Sequence, residues 1–161
     1  NGEDQEAAVA LYHKQKYMNK RINTEIIINA SAERVWKVLT DFSSYPRWNP
    51  FITRIEGQLR QGNRLTNTLK NGDKQFVFKP RVLEVTEQVS FSWLGSLFMK
   101  GLFDGTHYFR LEKTGANQVK LTHGEIFSGI LSSSILKKIG SDTRDNFVRM
   151  NRALKQEAER I

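Results

Sequence analysis

Apolar and polar positions along the chain change period three times. From Arg21 to Asn29 the β-branched run Ile26-Ile27-Ile28 predicts a strand. Ser31 then offers a helix N-cap, although Arg34 stands where a full capping box has Glu or Gln. Val35, Trp36, Val38 and Leu39 recur at helical spacing, which predicts a short amphipathic helix over 32–40. Between Asp41 and Pro50, the prolines at 46 and 50 forbid a long helix and leave room for one or two tight turns. Strand-like segments follow at 51–57, 63–70, 74–85, 88–94, 105–114 and 117–127. Asn71-Gly72-Asp73 is a strong hairpin signal and Gly115-Ala116-Asn117 a weaker one, so these strands are expected to be antiparallel neighbours in a sheet of consecutive hairpins.

The last third returns to a helical period. Phe147, Met150, Asn151, Leu154, Ala158 and Ile161 fall on one stripe, with Ile130, Leu131, Ile135, Leu136 and Ile139 upstream. Either one helix runs from about 130 to 160 with a weak point at Gly140, or two helices meet there. In both cases an apolar helix face lies over a sheet. Alternation assigns the sheet's inner face: His107, Phe109 and Leu111 point together, as do Val119, Leu121, His123, Glu125 and Phe127. Phe91 with Trp93, and Phe76 with Phe78, form matching pairs.

The opening segment differs. Acids come first, a short apolar patch Ala7–Tyr12 follows, and Lys14, Lys16 and Lys20 close it, the charge order a helix favours. It does not read as a signal peptide. Residues 1–20 are therefore expected to be an extension with helical character, and 21–161 the domain proper. Met18 offers an alternative start, which would make 1–17 an appendage.

At 161 residues the chain has the length of one domain and can bury a core without cross-links. It has no cysteine, which excludes disulfides, thiolate metal sites and a Cys nucleophile. Its location is expected to be the cytoplasm, which the lack of cysteine permits without requiring. No apolar run approaches the ~20 residues that span a bilayer. The net charge of +8 suits an anionic partner, but the cations are scattered and no nucleic-acid motif of defined spacing is present. A solvated basic surface is the simpler reading, with peripheral membrane contact as its alternative and no nucleic acid as partner.

Four separated blocks carry a resemblance. Ile28-Asn29-Ala30-Ser31-Ala32-Glu33-Arg34-Val35-Trp36, Asp41-Phe42 with Tyr45-Pro46-Arg47-Trp48-Asn49-Pro50, Gly105-Thr106-His107-Tyr108-Phe109, and Leu121 to Gly129 occur in the order seen in the SRPBCC superfamily. That superfamily includes START lipid-transfer domains, birch-pollen-allergen-like proteins and polyketide cyclases. The resemblance spans Arg21 to Ile161. It implies an α+β helix-grip fold: a curved antiparallel sheet wrapped around a long C-terminal helix, with two short helices after strand 1. It also implies a cavity between sheet and helix. Phe76, Phe78, Phe91, Trp93, His107, Phe109, His123, Glu125 and Phe127 are its expected lining, with Trp48, Phe98, Phe103 and Leu131 at the mouth. Gly101 and Gly105 flank Leu102-Phe103-Asp104, a link able to gate the cavity or touch a membrane.

Chemistry concentrates in His107, His123 and Glu125. A histidine titrates near neutrality and burial raises a glutamate, so His123 and Glu125 are candidates for acid and base in a cyclase- or dehydratase-type reaction. The same residues would serve equally as a buried polar cluster that orients a ligand. A zinc site on the three is the remaining alternative and lacks any supporting Cys pair or helical spacing; no metal and no cofactor is expected. Neither a serine elbow nor a phosphate-binding glycine loop occurs. The expected function is binding of a small hydrophobic or amphipathic ligand, lipid- or polyketide-like, with the acid–base enzyme and a membrane-docking lipid-handling module as alternatives.

Overall fold

The computed structural model describes residues 5–7, 9–10, 20–97 and 99–160. Residues 5–7 and 9–10 are helical; most of the opening segment, with Phe98 and Ile161, lies outside the described residues.

The elements are β1 (Arg21–Ile28), α1 (Ala32–Thr40), a 3₁₀ turn (Phe42–Ser44), α2 (Tyr45–Trp48), β2 (Ile52–Glu56), β3 (Thr66–Asn71), β4 (Lys74–Phe78), β5 (Arg81–Thr86), β6 (Ser90–Leu97), β7 (Phe103–Gly115), β8 (Gln118–Ser128) and α3 (Ser132–Ala158). This is the α+β helix-grip arrangement, a curved antiparallel sheet held against a long C-terminal helix. Ser31 caps α1, its Oγ accepting from the Arg34 N–H at 3.2 Å, and Ala32, Val35, Val38 and Leu39 face inward. Tyr45 closes the turn beneath α1: it is fully enclosed and its hydroxyl donates to the Leu39 carbonyl at 2.6 Å. Burial, with Asp41 nearby, pushes that phenol far above its ordinary range. The side-chain oxygen of Asn49 then accepts from the Phe51 and Ile52 N–H groups and turns the chain into β2.

The strands form two sheets rather than one run of hairpins. One has the order β1-β8-β7-β6-β5, the other β2-β3-β4. The segment expected as a single strand over 74–85 is divided at Lys79-Pro80, because Pro80 has no N–H to give a ladder. Its carbonyl instead accepts from Leu65 N at 2.9 Å, and a lone bridge links Arg64 to Arg81. The first strand finds its partner at the far end of the sequence: β1 pairs with β8, Thr24 opposite His123.

The C-terminal stretch is one helix that passes through Gly140. Phe147, Met150, Asn151, Leu154 and Ala158 are buried as their spacing predicts, joined by Asn146. The far end of α3 is fastened to the first elements: Lys155 Nζ donates to the Ile27 carbonyl at 2.9 Å and Asn29 N–H donates to Glu159 Oε1 at 2.6 Å. Towards its start the helix leaves Ile139 exposed, and Leu131 just before it is exposed as well. No helix among the described residues is long and apolar enough to cross a membrane.

The outer face of the large sheet has one tight place. Tyr108 lies across Gly124 and donates to Asn23 Oδ1 at 2.7 Å. A Cβ at position 124 would overlap the tyrosine hydroxyl and come within 2.5 Å of the Ile22 backbone oxygen. A side chain can swing away, but the β1 backbone cannot. Gly124→Ala is expected to cost about 1–3 kcal/mol, the usual penalty of overpacking. An unchanged urea midpoint would show that β1 moves freely on β8.

Candidate functional site

Register places the inner-face residues in rows across the sheet. One row runs Phe91, Phe109, His123, Thr24; the next runs Trp93, His107, Glu125, Ile22; the next runs Gly95, Gly105, Phe127. The first row is filled by large side chains that pack under α3. In the third, two adjacent positions carry no side chain, so the space between sheet and helix stays open. A cavity of about 300 Å³ begins there. Its walls are Trp93, Phe103 and Phe127 from the large sheet, Leu69, Phe76 and Phe78 from the small one, and Ile135 and Ile139 from α3. Phe103 and Phe127 stack face to face with centroids 5.4 Å apart.

Polar groups reach this apolar space at few points. On the large sheet they are Ser96, Glu125 and His107, the last two cross-strand partners whose Oε2 and Nδ1 stand 3.6 Å apart. On the β3 and α3 side they are Asn67, Asn71, Thr143 and Asn146, where Asn146 donates to Asn71 at 3.3 Å and accepts from Arg149. Asn67 is almost fully buried, and its side-chain oxygen has no partner among the described residues.

Gly105 makes the position of Glu125 possible. A Cβ there would overlap Glu125 Oε1, so the carboxylate lies folded over a bare backbone. Gly105→Ala meets only the end of a flexible side chain. Its expected result is nearly unchanged stability with Glu125 displaced from His107, read as a changed affinity for any ligand that touches the carboxylate; equal affinity in both proteins would remove Glu125 from the site.

Behind His107 lies His123, fully enclosed. Its ring is sandwiched between Phe109 at 4.4 Å and Phe147 at 4.2 Å, while Trp93 stacks on His107 at 5.2 Å. The two imidazoles meet Nε2 to Nε2 at 2.9 Å, and His123 Nδ1 meets Asn151 Oδ1 at 2.7 Å. Asn151 Nδ2 donates to Thr24 Oγ1 at 2.9 Å, and the Thr24 hydroxyl donates to the His123 carbonyl at 2.7 Å. Burial, reinforced by the neighbouring His107, holds the His123 pKa well below its ordinary value, so this ring is neutral.

The sequence-derived residues thus separate by depth. Phe76, Phe78, Trp93, Phe103, His107, Glu125 and Phe127 line the cavity. Phe91, Phe109 and His123 share their face but sit one row further in, within the core, so His107 is the histidine that reaches the cavity. Trp48 packs on Tyr45 at 4.9 Å, away from the cavity wall, and Leu131 stands exposed just before α3. Phe98 falls outside the described residues. Among the described residues no group of three His or carboxylate side chains is arranged to hold a metal. Both nitrogens of His123 already face partners. Alternation did not reveal Asn67, Asn71 and Asn146; nor did it pair Asn151 with His123.

A family model described as polyketide cyclase/dehydrase and lipid transport matches residues 20–159. No curated protein matches the chain. Among solved structures, the chain is similar to an aromatase/cyclase from Streptomyces sp. R1128, at 17% identity over 87% of this chain and 93% of that one, with a TM-score of 0.71. It is also similar to a START superfamily protein from Mycobacterium smegmatis, at 20% identity over 86% and 97%, TM-score 0.67. A third is norcoclaurine synthase from Thalictrum flavum in complex with dopamine and hydroxybenzaldehyde, at 16% identity over 85% and 84%, TM-score 0.65. At these identities the likeness is one of fold.

Proposed function

We propose that this chain, which belongs to the polyketide cyclase/dehydrase and lipid transport family, binds a small amphipathic ligand with its apolar body in the cavity and a polar group against Glu125 and His107. The observation that carries the reading is the shape of the third row: two glycines open a space walled by aromatic rings, and a carboxylate and an imidazole converge on its edge. Apolar walls supply affinity of roughly 25 cal/mol per Å² removed from water, less the costs of association. The few polar groups set orientation. Dopamine and hydroxybenzaldehyde, held by a protein of the same fold, have the size and polarity that such a space accepts.

The test uses 2-naphthol, followed through Trp93 emission. Gly95 lines the cavity and has open space around it, with only Pro80 near at 3.8 Å. Gly95→Leu should fill the space and weaken binding by at least about tenfold, the effect of losing ~1.4 kcal/mol of apolar contact, without unfolding the protein. Equal quenching in both proteins would place the ligand elsewhere.

A second reading, acid–base catalysis on the bound ligand, is favoured by the position of His107 and Glu125 at the cavity wall. In that reading these two are the catalytic residues and His123 acts through His107. A bell-shaped pH–rate profile that loses one limb in Glu125→Gln would support it.

A further inference from the structure

The hydrogen bonds behind the cavity have a direction. Thr24 has one hydroxyl proton and gives it to the His123 carbonyl, so its oxygen accepts from the Asn151 amide. Asn151 must therefore turn its oxygen to His123, whose proton lies on Nδ1. The Nε2 of His123 is then a bare lone pair, and the facing Nε2 of His107 must carry a proton to meet it. What remains on His107 is Nδ1, facing Glu125 across 3.6 Å. A neutral imidazole has one ring proton, and with that proton on Nε2 the Nδ1 lone pair faces a carboxylate oxygen over that gap.

We propose that Asn151 and Thr24 are positioning residues that fix the tautomers of both histidines and so make the His107–Glu125 edge of the cavity a proton acceptor. The chain has a hydrogen-bond acceptor at each end, Asn151 Oδ1 and the Glu125 carboxylate, with two rings between them. Two neutral rings hold two protons for three gaps. The unfilled gap is the one at the cavity, and a ligand O–H or N–H fills it. A ligand that only accepts hydrogen bonds finds no partner at this edge. The inference rests on the proposed ligand site and narrows it to donor ligands.

The experiment assigns the ring protons of the ligand-free protein by long-range ¹H–¹⁵N NMR near neutral pH. The expected pattern is Nδ1–H on His123 and Nε2–H on His107. In the double variant Thr24→Val/Asn151→Leu, apolar groups of similar shape remove the acceptor that faces His123 Nδ1, so a proton on that nitrogen would have no partner. There the His123 proton should move to Nε2, and the His107 proton to Nδ1, toward Glu125. A purely structural hydrogen bond would not move a proton one ring away. The same variant should lose its preference for 2-naphthol over 2-methoxynaphthalene. A wild-type His123 protonated on Nε2 overturns the proposal, and so does an unchanged His107 in the folded double variant. If that variant does not fold, the wild-type pattern decides alone. Failure of 2-naphthol to bind, with the tautomers as stated, would refute the ligand site and leave the proton chain intact.

Discussion

Phe147→Ala is expected to lower stability by about 3–5 kcal/mol, the range for removing a buried aromatic ring. In a chain of this length that corresponds to a fall of roughly 10 °C in Tm. Phe147 has no exposed surface, packs on Phe51 at 5.7 Å, and forms one side of the His123 sandwich. It also meets the His107 ring edge-on at 5.0 Å. No other residue of α3 touches both histidines through a ring face or edge, so its loss leaves a void where sheet and helix meet. Collapse of α3 onto the space would be limited by Phe109 and Phe51, which are themselves buried. Differential scanning calorimetry reads the effect; a loss below about 1 kcal/mol would mean that the helix resettles and that the sandwich is not tightly packed.

The second large effect concerns acid. His123 is held neutral in the folded protein but titrates near 6.5 once unfolded. The unfolded state therefore binds more protons below that value, and stability falls as pH falls. The contribution is fully present above pH 6.5 and is lost progressively below it, until the depressed folded pKa is reached. Below pH 6.5 this one group should lower stability by at most ~1.36 kcal/mol for each pH unit. His123→Gln keeps a donor and an acceptor in the same place and has no proton to gain. Urea unfolding at several pH values should show a shallower acid slope in that variant. Parallel slopes would mean that His123 takes up its proton without unfolding the protein.

Much of this could be read from the residues. The alternation in β7 and β8 places His107, Phe109, His123 and Glu125 on the inner face, and the period of α3 buries Asn151 beside Phe147 and Leu154. The Asn71-Gly72-Asp73 signal marks the hairpin from β3 to β4. Alternation gives a face, however, and not a depth along it. Whether a position opens on a cavity or sits under the helix depends on where α3 crosses the strands, and that separates His107 from His123. Trp48 lies in a segment without a period, and Leu131 falls one residue before the helix begins, so the pattern does not direct either side chain. The division at Pro80 follows from one missing N–H, whose consequence depends on which strand lies alongside. Gly95 and Gly105 did carry a signal: a glycine inside a strand marks close approach or space, and here it marks both.

The hydrogen bond from Asn151 to Thr24 joins residues 127 apart in sequence. Together with the pairing of β1 to β8, it means that β1 has no sheet partner until β8 exists. A growing chain must carry Ile26-Ile27-Ile28 without that partner while the six strands β2 to β7 are made. Contacts so distant slow folding, because the entropy of closing the long loop is lost before the contact forms. During that wait the isoleucine run is an unpaired apolar strand open to mispairing.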